Sequence, residues 1–196
     1  MARVFVVSLV GEPGVGKSHI WSRLRKYVRL EEGFTTNPKD PLPPQGFTRE
    51  LAWVVDYYER IRLAARPALA APGDQPMVIV TDRSPYSGCV FTETHREMMQ
   101  QVTAVLEQRH KDLGIEFVRV RVTAAEVDVL ERVRERLQKE PWRLALHEDD
   151  PAHIRRIRGL YDELSCLWDF VVENGNADSS EGARQVQEII AGLVSD

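Results

Sequence analysis

The sequence GEPGVGKS at residues 11–18 decides the fold, because it fits the pattern G-x-x-x-x-G-K-[ST] at every position. The apolar run at 4–10 precedes it and predicts a buried strand. Ile20, Leu24 and Tyr27 follow at helical spacing and predict a helix. In a strand, glycine loop and helix of this order, backbone N–H groups and the positive end of the helix converge on one anion. The sequence therefore predicts a site for a nucleoside triphosphate.

This phosphate-binding loop also supplies a charge and a metal ligand. Lys17 brings an ammonium to the outer phosphates, and the hydroxyl of Ser18 is a ligand for Mg²⁺. A plain glycine turn is the alternative, which the matching strand and helix disfavour. The predicted nucleotide-binding residues of the loop are Gly11, Gly14, Val15, Gly16, Lys17 and Ser18.

Length, charge and composition narrow the class of protein. A chain of 196 residues with 43% hydrophobic and 29% charged residues is typical of a single globular domain, which we place at 1–196. The formal net charge of -4 favours neither a nucleic-acid partner nor an anionic membrane surface. No apolar run reaches the length of a membrane span, so we expect no membrane partner. Cys89 and Cys166 provide no disulfide framework and no metal-ligand spacing, which predicts a cytoplasmic protein.

Strands alternate with helices along the chain. Apolar or alternating segments predict further strands at 77–81, 115–122 and 169–173, with helical patterns between them. The segment 31–46 contains four prolines and two glycines and is predicted to be a long loop. This order predicts an α/β fold, a P-loop NTPase three-layer sandwich with a mostly parallel central sheet and helices on both faces.

An acidic residue follows the strand predicted at 77–81. Asp82 would lie beside the phosphate-binding loop, where a second carboxylate for Mg²⁺ belongs. Arg83 favours phosphoryl transfer over a hydrolytic switch, because a planar guanidinium can hold an acceptor in line. The alternative is an aspartate that caps a helix, beside a solvated arginine.

The segment around Asp82 resembles that of two kinase families. VIVTDRSPYSGCVFT at residues 78–92 is similar to the strand and D-R-x-x-x-S-G-x-x-F-T stretch of thymidylate kinases. Ser84 and Ser87 also resemble the E-R-S-x-x-S version in the related deoxynucleoside kinases. The resemblance implies that Asp82 binds or orients Mg²⁺ and that Arg83 contacts the acceptor or the transferred phosphate. It also implies ATP as the donor and a homodimer.

Three arginines, Arg132, Arg134 and Arg136, lie on the helix predicted after the third strand. They resemble the R-x-R-x-R lid of deoxynucleoside kinases, which implies an arginine-containing lid at about 132–150 that closes over the triphosphate. The resemblance assigns Arg132 and Arg136 to catalysis and Arg134 to nucleotide binding. Interleaved glutamates keep the alternative open, a solvated helix with Glu–Arg pairs.

The kinase families that this sequence resembles bind their acceptor where residues 34–46 and the helix predicted at 47–61 lie, so the resemblance implies an acceptor site there. Trp53, Tyr57 and Gln100 are candidates for contacts to a nucleobase, which needs a flat apolar slot with a few polar contacts. Core packing is the alternative for the two aromatic residues, because their spacing is typical of a core stripe. Deoxynucleoside kinases carry a glutamate as general base at the end of their second strand. Glu31 and Glu32 are the nearby carboxylates in this sequence, so the resemblance makes Glu32, or else Glu31, the candidate general base for a nucleoside hydroxyl.

Two further segments bear on the resemblance. Arg155, Arg156 and Arg158, followed by Tyr161, resemble the R-x-R-x-x-Y run of thymidylate kinases, with a solvated basic face as the alternative. Pro13, in contrast, stands where thymidylate kinases usually carry an aspartate that meets the acceptor sugar. The identity of the acceptor is therefore left open.

These features together predict an ATP- and Mg²⁺-dependent phosphotransferase acting on a small-molecule nucleotide or nucleoside, most like a thymidylate kinase. The alternative is a deoxynucleoside kinase that phosphorylates the 5′-hydroxyl. Two further interpretations are a kinase of a modified or polymer-borne nucleotide, and a P-loop NTPase or binding module without kinase activity.

Overall fold

The computed structural model describes residues 3–31, 47–70, 76–92, 95–175 and 180–195. Within these ranges the centre is a five-stranded sheet in the order β2-β3-β1-β4-β5, and every strand pair is parallel. The strands are β1 Val4–Val10, β2 Val28–Leu30, β3 Met77–Asp82, β4 Ile115–Thr123 and β5 Phe170–Glu173. The parallel sheet confirms the α/β prediction.

Helices cover the sheet on both faces. In the described part of the chain the α-helices are α1 Lys17–Arg23, α2 Phe47–Ala70, α3 Ser87–Phe91, α4 Arg96–Lys111, α5 Glu126–Lys139, α6 Pro151–Glu163 and α7 Glu181–Ser195. Short 3-10 helices lie at Pro141–Leu146 and Ser165–Leu167. No helix in the described ranges combines the length and the apolar content that crossing a membrane requires.

Strand β1 is buried along its whole length because it pairs with β3 on one side and β4 on the other. Its side chains alternate between two cores. Val4 and Val6 pack with residues of α2, α4 and α6, whereas Phe5 and Val7 pack with residues of α1, α5 and α7. Fully burying one such side chain contributes about 1.5–3 kcal/mol. The two cores on opposite faces make the three layers that the sequence predicts.

The carboxyl ends of the strands meet at one edge of the sheet, because all pairs are parallel. The loop at 11–16 follows β1, and Asp82 is the last residue of β3. Asn174 follows β5, and its backbone N–H donates to the carbonyl oxygen of Thr123 at the end of β4, at 2.8 Å. This edge therefore carries the phosphate-binding loop and the polar residues around it.

Several elements differ from the sequence prediction. The spacing of Ile20, Leu24 and Tyr27 predicts a helix that extends to Tyr27, but α1 ends at Arg23, and Leu24 and Tyr27 pack against the core beyond its end. The sequence predicts no strand at Val28–Leu30, because three residues are too few to show a periodic pattern. Pro67 predicts the end of a helix, but α2 continues through it to Ala70. Pro67 is exposed, so the carbonyl that loses its helical donor can bind water instead.

Candidate nucleotide-binding site

The backbone of the phosphate-binding loop takes conformations that glycine adopts readily. Gly14 has a φ of +85° and Gly16 a φ of +92°, both in the left-handed region. A Cβ on Gly14 would lie 2.8 Å from the carbonyl oxygen of Val129, and a Cβ on Gly16 would overlap the side-chain amide of Asn174. Gly16 is also the N-cap of α1, so the first N–H groups of that helix belong to the loop. The loop thus has the curled backbone that binding of a phosphate requires.

The ammonium of Lys17 lies inside this loop. Lys17 is 7% exposed, and its Nζ donates to the carbonyl oxygen of Gly11 at 2.8 Å and to that of Glu12 at 3.0 Å. A positive charge in a partly buried place attracts an anion more strongly than one in bulk water, because the surrounding dielectric constant is lower. The charge and the curled backbone are therefore positioned together.

Ser18 and Asp82 meet at the edge of the sheet. The Oγ of Ser18 donates to Oδ2 of Asp82 at 2.7 Å, which joins the first turn of α1 to the end of β3. Asp82 is buried, and among the described residues its Oδ1 has no hydrogen-bond partner. A buried carboxylate oxygen in this state is costly unless a cation or a donor compensates it. A hydroxyl beside such a carboxylate fits Mg²⁺, which takes oxygen ligands.

Arg83 has a strained backbone next to this pair. Its φ is +74°, a left-handed conformation that is uncommon for a residue other than glycine. Two hydrogen bonds hold it there: its N–H donates to the carbonyl oxygen of Leu9 at 2.9 Å, and its carbonyl accepts from Oγ1 of Thr81 at 2.9 Å. The guanidinium stacks on the ring of Phe91 at 4.5 Å. Strain that the surroundings maintain is typical of functional sites, so the backbone geometry supports a role for Arg83.

Arg132 reaches the phosphate-binding loop from α5. Its Nη2 donates to the carbonyl oxygen of Asn174 at 2.9 Å, and its Nη1 makes longer contacts of 3.4 Å with the carbonyl oxygens of Gly14 and Val15. The side-chain amide of Asn174 donates to the carbonyl oxygen of Val15 at 2.8 Å. The structure therefore brings this predicted lid residue to the loop.

The other two lid arginines lie elsewhere. The Nε of Arg136 donates to Oε2 of Glu140 at 3.2 Å, and Arg143 donates to the same carboxylate oxygen. Arg143 also pairs with the buried Glu148 at 2.8 Å. Arg134 is exposed. The catalytic and nucleotide-binding roles of these arginines, and the lid boundaries at 132–150, stay predictions.

Trp53 and Tyr57, the aromatic candidates for the acceptor, lie in the core between α2 and the sheet. The hydroxyl of Tyr57 is 3.0 Å from Oγ of Ser8 and 2.7 Å from Oγ1 of Thr81. Burial raises the pKa of Tyr57 to about 12, so the hydroxyl stays protonated near neutral pH. Its hydrogen bonds lie within the protein, which supports the core-packing alternative for Tyr57.

Gln100 and Glu32 are the remaining candidates for the acceptor side. Gln100 is half-buried on α4. Glu32 falls outside the described residues, whereas the neighbouring carbonyl oxygen of Glu31 accepts a hydrogen bond from Arg60 at 2.7 Å. Contacts of Gln100 and Glu32 with a substrate therefore stay predictions.

The sequence analysis did not identify several polar residues that contact the loop. Glu12, inside the motif, is fully buried, and its carboxylate pairs with Arg121 of β4 and Arg158 of α6. Asn174, which follows β5, donates a hydrogen bond from its side-chain amide to the carbonyl oxygen of Val15 in the loop. Arg121 gives only a weak signal in the sequence, because Glu116 and Arg119 are charged residues of the same strand.

Comparisons with known proteins bear on the fold. No family model and no curated protein matches the sequence. Among solved structures, a deoxyadenosine kinase from M. mycoides with the products dCMP and a flexible dCDP matches with a TM-score of 0.60 and 14% identity, over 96% of this chain and 99% of that chain. The chain has the fold of a P-loop nucleoside kinase.

Two further structures of that kinase agree with this result. The kinase with bound dATP has a TM-score of 0.60 and 14% identity, over 95% of this chain and 99% of that one. The kinase with bound dCTP has a TM-score of 0.54 and 15% identity over the same shares. All three structures of this kinase thus share their fold with this chain over at least 95% of its length.

Proposed function

We propose that this protein transfers the γ-phosphoryl group of ATP to the 5′-hydroxyl of a deoxynucleoside. The observation that carries the proposal is the contact between Ser18 and Asp82 at the mouth of the phosphate-binding loop, with Arg83 held beside it. The deoxyadenosine kinase fold supports a nucleoside as the acceptor. A thymidylate kinase, the first expectation from the sequence, is the second candidate.

Catalysis of this kind depends on positioning and on stabilising charge. Lys17 would exchange its contacts with loop carbonyls for contacts with phosphate oxygens, and Ser18 and Asp82 would hold Mg²⁺. Mg²⁺ neutralises negative charge on the phosphates when it is bound. Arg83 would orient the acceptor end of the reaction, and Arg132 and Arg136 would stabilise charge on the transferred group. No covalent intermediate with the protein is needed.

The second candidate rests on a specific observation. The S-G-x-x-F-T part of the segment at 82–92 follows the thymidylate kinase pattern. In a monophosphate acceptor, the attacking phosphate oxygen is already an anion. A monophosphate acceptor therefore needs no general base, whereas a nucleoside hydroxyl would benefit from one, such as Glu32. The two candidates thus differ in their dependence on a carboxylate base.

The test measures ATP consumption with Mg²⁺ against a panel of deoxynucleosides and their 5′-monophosphates. We expect turnover of a deoxynucleoside that Arg83→Ala abolishes and that Arg184→Ala preserves. Arg184 is a matched control, because it is exposed on α7 and pairs only with Glu181 and Glu188 among the described residues. Turnover of a monophosphate instead would establish the second candidate. Hydrolysis independent of any acceptor, or binding of ATP without turnover, would contradict both.

A further inference from the structure

Glu12, the second residue of the phosphate-binding loop, has its carboxylate between two guanidinium groups. Its Oε2 lies 2.7 Å from Nη1 of Arg121, and its Oε1 accepts from Nε of Arg158 at 2.8 Å. The side chains of Glu12 and Arg121 are 1% and 3% exposed. A charged network is therefore built into the interior directly behind the loop.

The two arginines come from different parts of the fold. Arg121 lies on β4, stacks on the ring of Tyr161 at 4.7 Å and approaches Asp162 at 3.5 Å. Arg158 lies on α6, and its Nη2 donates to the carbonyl oxygen of Ala124, just before α5, at 3.0 Å. Through Glu12 the loop is thus joined to β4, to the start of the predicted lid helix α5 and to α6, the helix that follows the predicted lid.

Stability alone gives little reason for such a network. Buried ion pairs lose much of their Coulomb attraction to the cost of removing both charges from water, and apolar replacements are often as stable. The backbone of Glu12 offers a different reason, because its carbonyl oxygen accepts from Nζ of Lys17 at 3.0 Å. Glu12 therefore has two roles: its side chain is held by Arg121 and Arg158, and its backbone carbonyl helps to position the ammonium of Lys17.

We infer that Arg158 and Arg121 are positioning residues that act through Glu12 to hold the phosphate-binding loop in its nucleotide-binding shape. The inference rests on the proposed function only in requiring that the loop binds ATP. Arg158 makes this placement depend on α6, so the segment that follows the lid and the loop that cradles the phosphates move as one unit.

The network could act on ATP binding by holding Glu12 in place, which we call a clamp, or only through the electrostatic field of its charges. The two explanations predict opposite results for Glu12→Gln. Glu12 contributes one negative charge and Arg158 one positive charge to the field at the phosphates. If only the field mattered, Glu12→Gln would strengthen ATP binding and Arg158→Met would weaken it. If the ion pair between Glu12 and Arg158 is a clamp, both substitutions free Glu12 from Arg158, and both weaken ATP binding.

The test measures the Kd of MgATP by displacement of a fluorescent ATP analogue from the full-length protein, without an acceptor. We expect Glu12→Gln and Arg158→Met each to weaken binding by roughly ten- to hundredfold, because a displacement of about 1 Å in a positioned site can cost that much. The variant that carries both substitutions should bind MgATP no more weakly than whichever single variant binds it more weakly. The reason is that each substitution alone already removes the interaction between Glu12 and Arg158. The Kd of Arg158→Lys for MgATP should lie between that of the wild type and that of Arg158→Met.

Arg155→Met is the matched control. Arg155 lies on the same helix and pairs with Glu126 at the start of α5 at 2.8 Å, but both side chains are exposed. We expect its Kd for MgATP to equal that of the wild type. A fall in melting temperature in the Glu12 and Arg158 variants with unchanged Kd would reduce the network to a structural role and overturn the inference.

Opposite signs for Glu12→Gln and Arg158→Met would also overturn it. The outcome is separable from that of the proposed function, because ATP binding is measured without turnover. Weakened binding in both variants of a protein that phosphorylates no acceptor would keep the inference and reject the kinase. Kinase turnover with an unchanged KM for ATP in both variants would support the kinase and reject the inference.

Discussion

Asp82 is buried with one carboxylate oxygen bonded to Ser18 and the other without a hydrogen bond among the described residues. An arrangement of this kind costs stability while it prepares a place for a cation. Removal of the negative charge of Asp82 should therefore affect the stability of the free protein and that of its complex with MgATP in different ways.

We expect Asp82→Asn to leave the melting temperature of the free protein unchanged or to raise it by a few degrees, because a buried charge is lost. The same variant should lose the increase in melting temperature that MgATP gives the wild type, since that increase follows ligand affinity. Differential scanning calorimetry with and without MgATP measures both effects. Asp112→Asn, at an exposed position after α4, should behave like the wild type. A wild-type MgATP shift in Asp82→Asn would refute the assignment of this residue to the metal.

Gly16 offers a second test at the scale of one residue. Gly16→Ala forces a left-handed φ of +92° on an alanine and pushes its Cβ into the side chain of Asn174. A left-handed alanine alone costs about 1–2 kcal/mol, and the displaced loop should bind MgATP at least tenfold more weakly. Gly192→Ala, in α7 with open space around its Cβ, should instead stabilise the protein by about 0.5–1 kcal/mol and leave MgATP binding unchanged. Chemical denaturation and nucleotide titration of the two variants give the comparison.

At the scale of elements, the sequence was most informative where a periodic pattern is long. Strand β1, the loop at 11–16 and the start of α1 follow from such a pattern and from a complete motif, whereas the end of α1 at Arg23 does not. Strand β2 does not, because three residues at the edge of a sheet show no period. The clamp on Glu12 could not be predicted either, because Arg158 lies 146 residues away and only the folded sheet brings the two together. The sequence could thus place the site on its elements, but it could not show which distant side chains support it.

Glu140, at the end of α5, holds two arginines of the predicted lid in the described structure. If Arg136 must leave this carboxylate to reach a triphosphate, Glu140→Gln should lower the KM for ATP. Both partners are about one third or more exposed, and such pairs contribute about 0.2–1 kcal/mol, so the decrease should be at most about fivefold. Steady-state kinetics at varied ATP measures it. Glu126→Gln removes an exposed pair at the other end of the same helix and should leave KM unchanged. An increase in KM for Glu140→Gln would mean that the pair supports nucleotide binding.

At the scale of the whole molecule, burial in the core alters how the protein responds to alkali. Burial raises the pKa of Tyr57 and of Cys89 to about 12, from ordinary values of 10.0 and 9.0. It also raises the pKa of Tyr58. Above these ordinary values the unfolded chain has lost protons that the folded protein retains. The free energy of unfolding should therefore be fully maintained below pH 9 and should fall as the pH rises from about 9 to 12.

Each of these groups lowers the free energy of unfolding by at most about 1.4 kcal/mol per pH unit. Urea denaturation at intervals between pH 8 and pH 11 measures the slope. Cys89→Ala should flatten the first part of the decline, near pH 9 to 10, where the cysteine of the unfolded chain titrates before its tyrosines. A denaturation midpoint that stays constant over the whole range would contradict the prediction.

The central place of β1 in the sheet also has a consequence for the synthesis of the chain. Val4 lies opposite Met77 on one side and Ile115 on the other, so β1 leaves the ribosome well before either of its neighbours in the sheet. Closing such long loops is entropically costly, which predicts slow folding in which the sheet forms after the local helices. Until β4 is made, β1 presents an apolar edge that favours aggregation. We therefore expect nascent chains that end before residue 115 to be the species that chaperones retain.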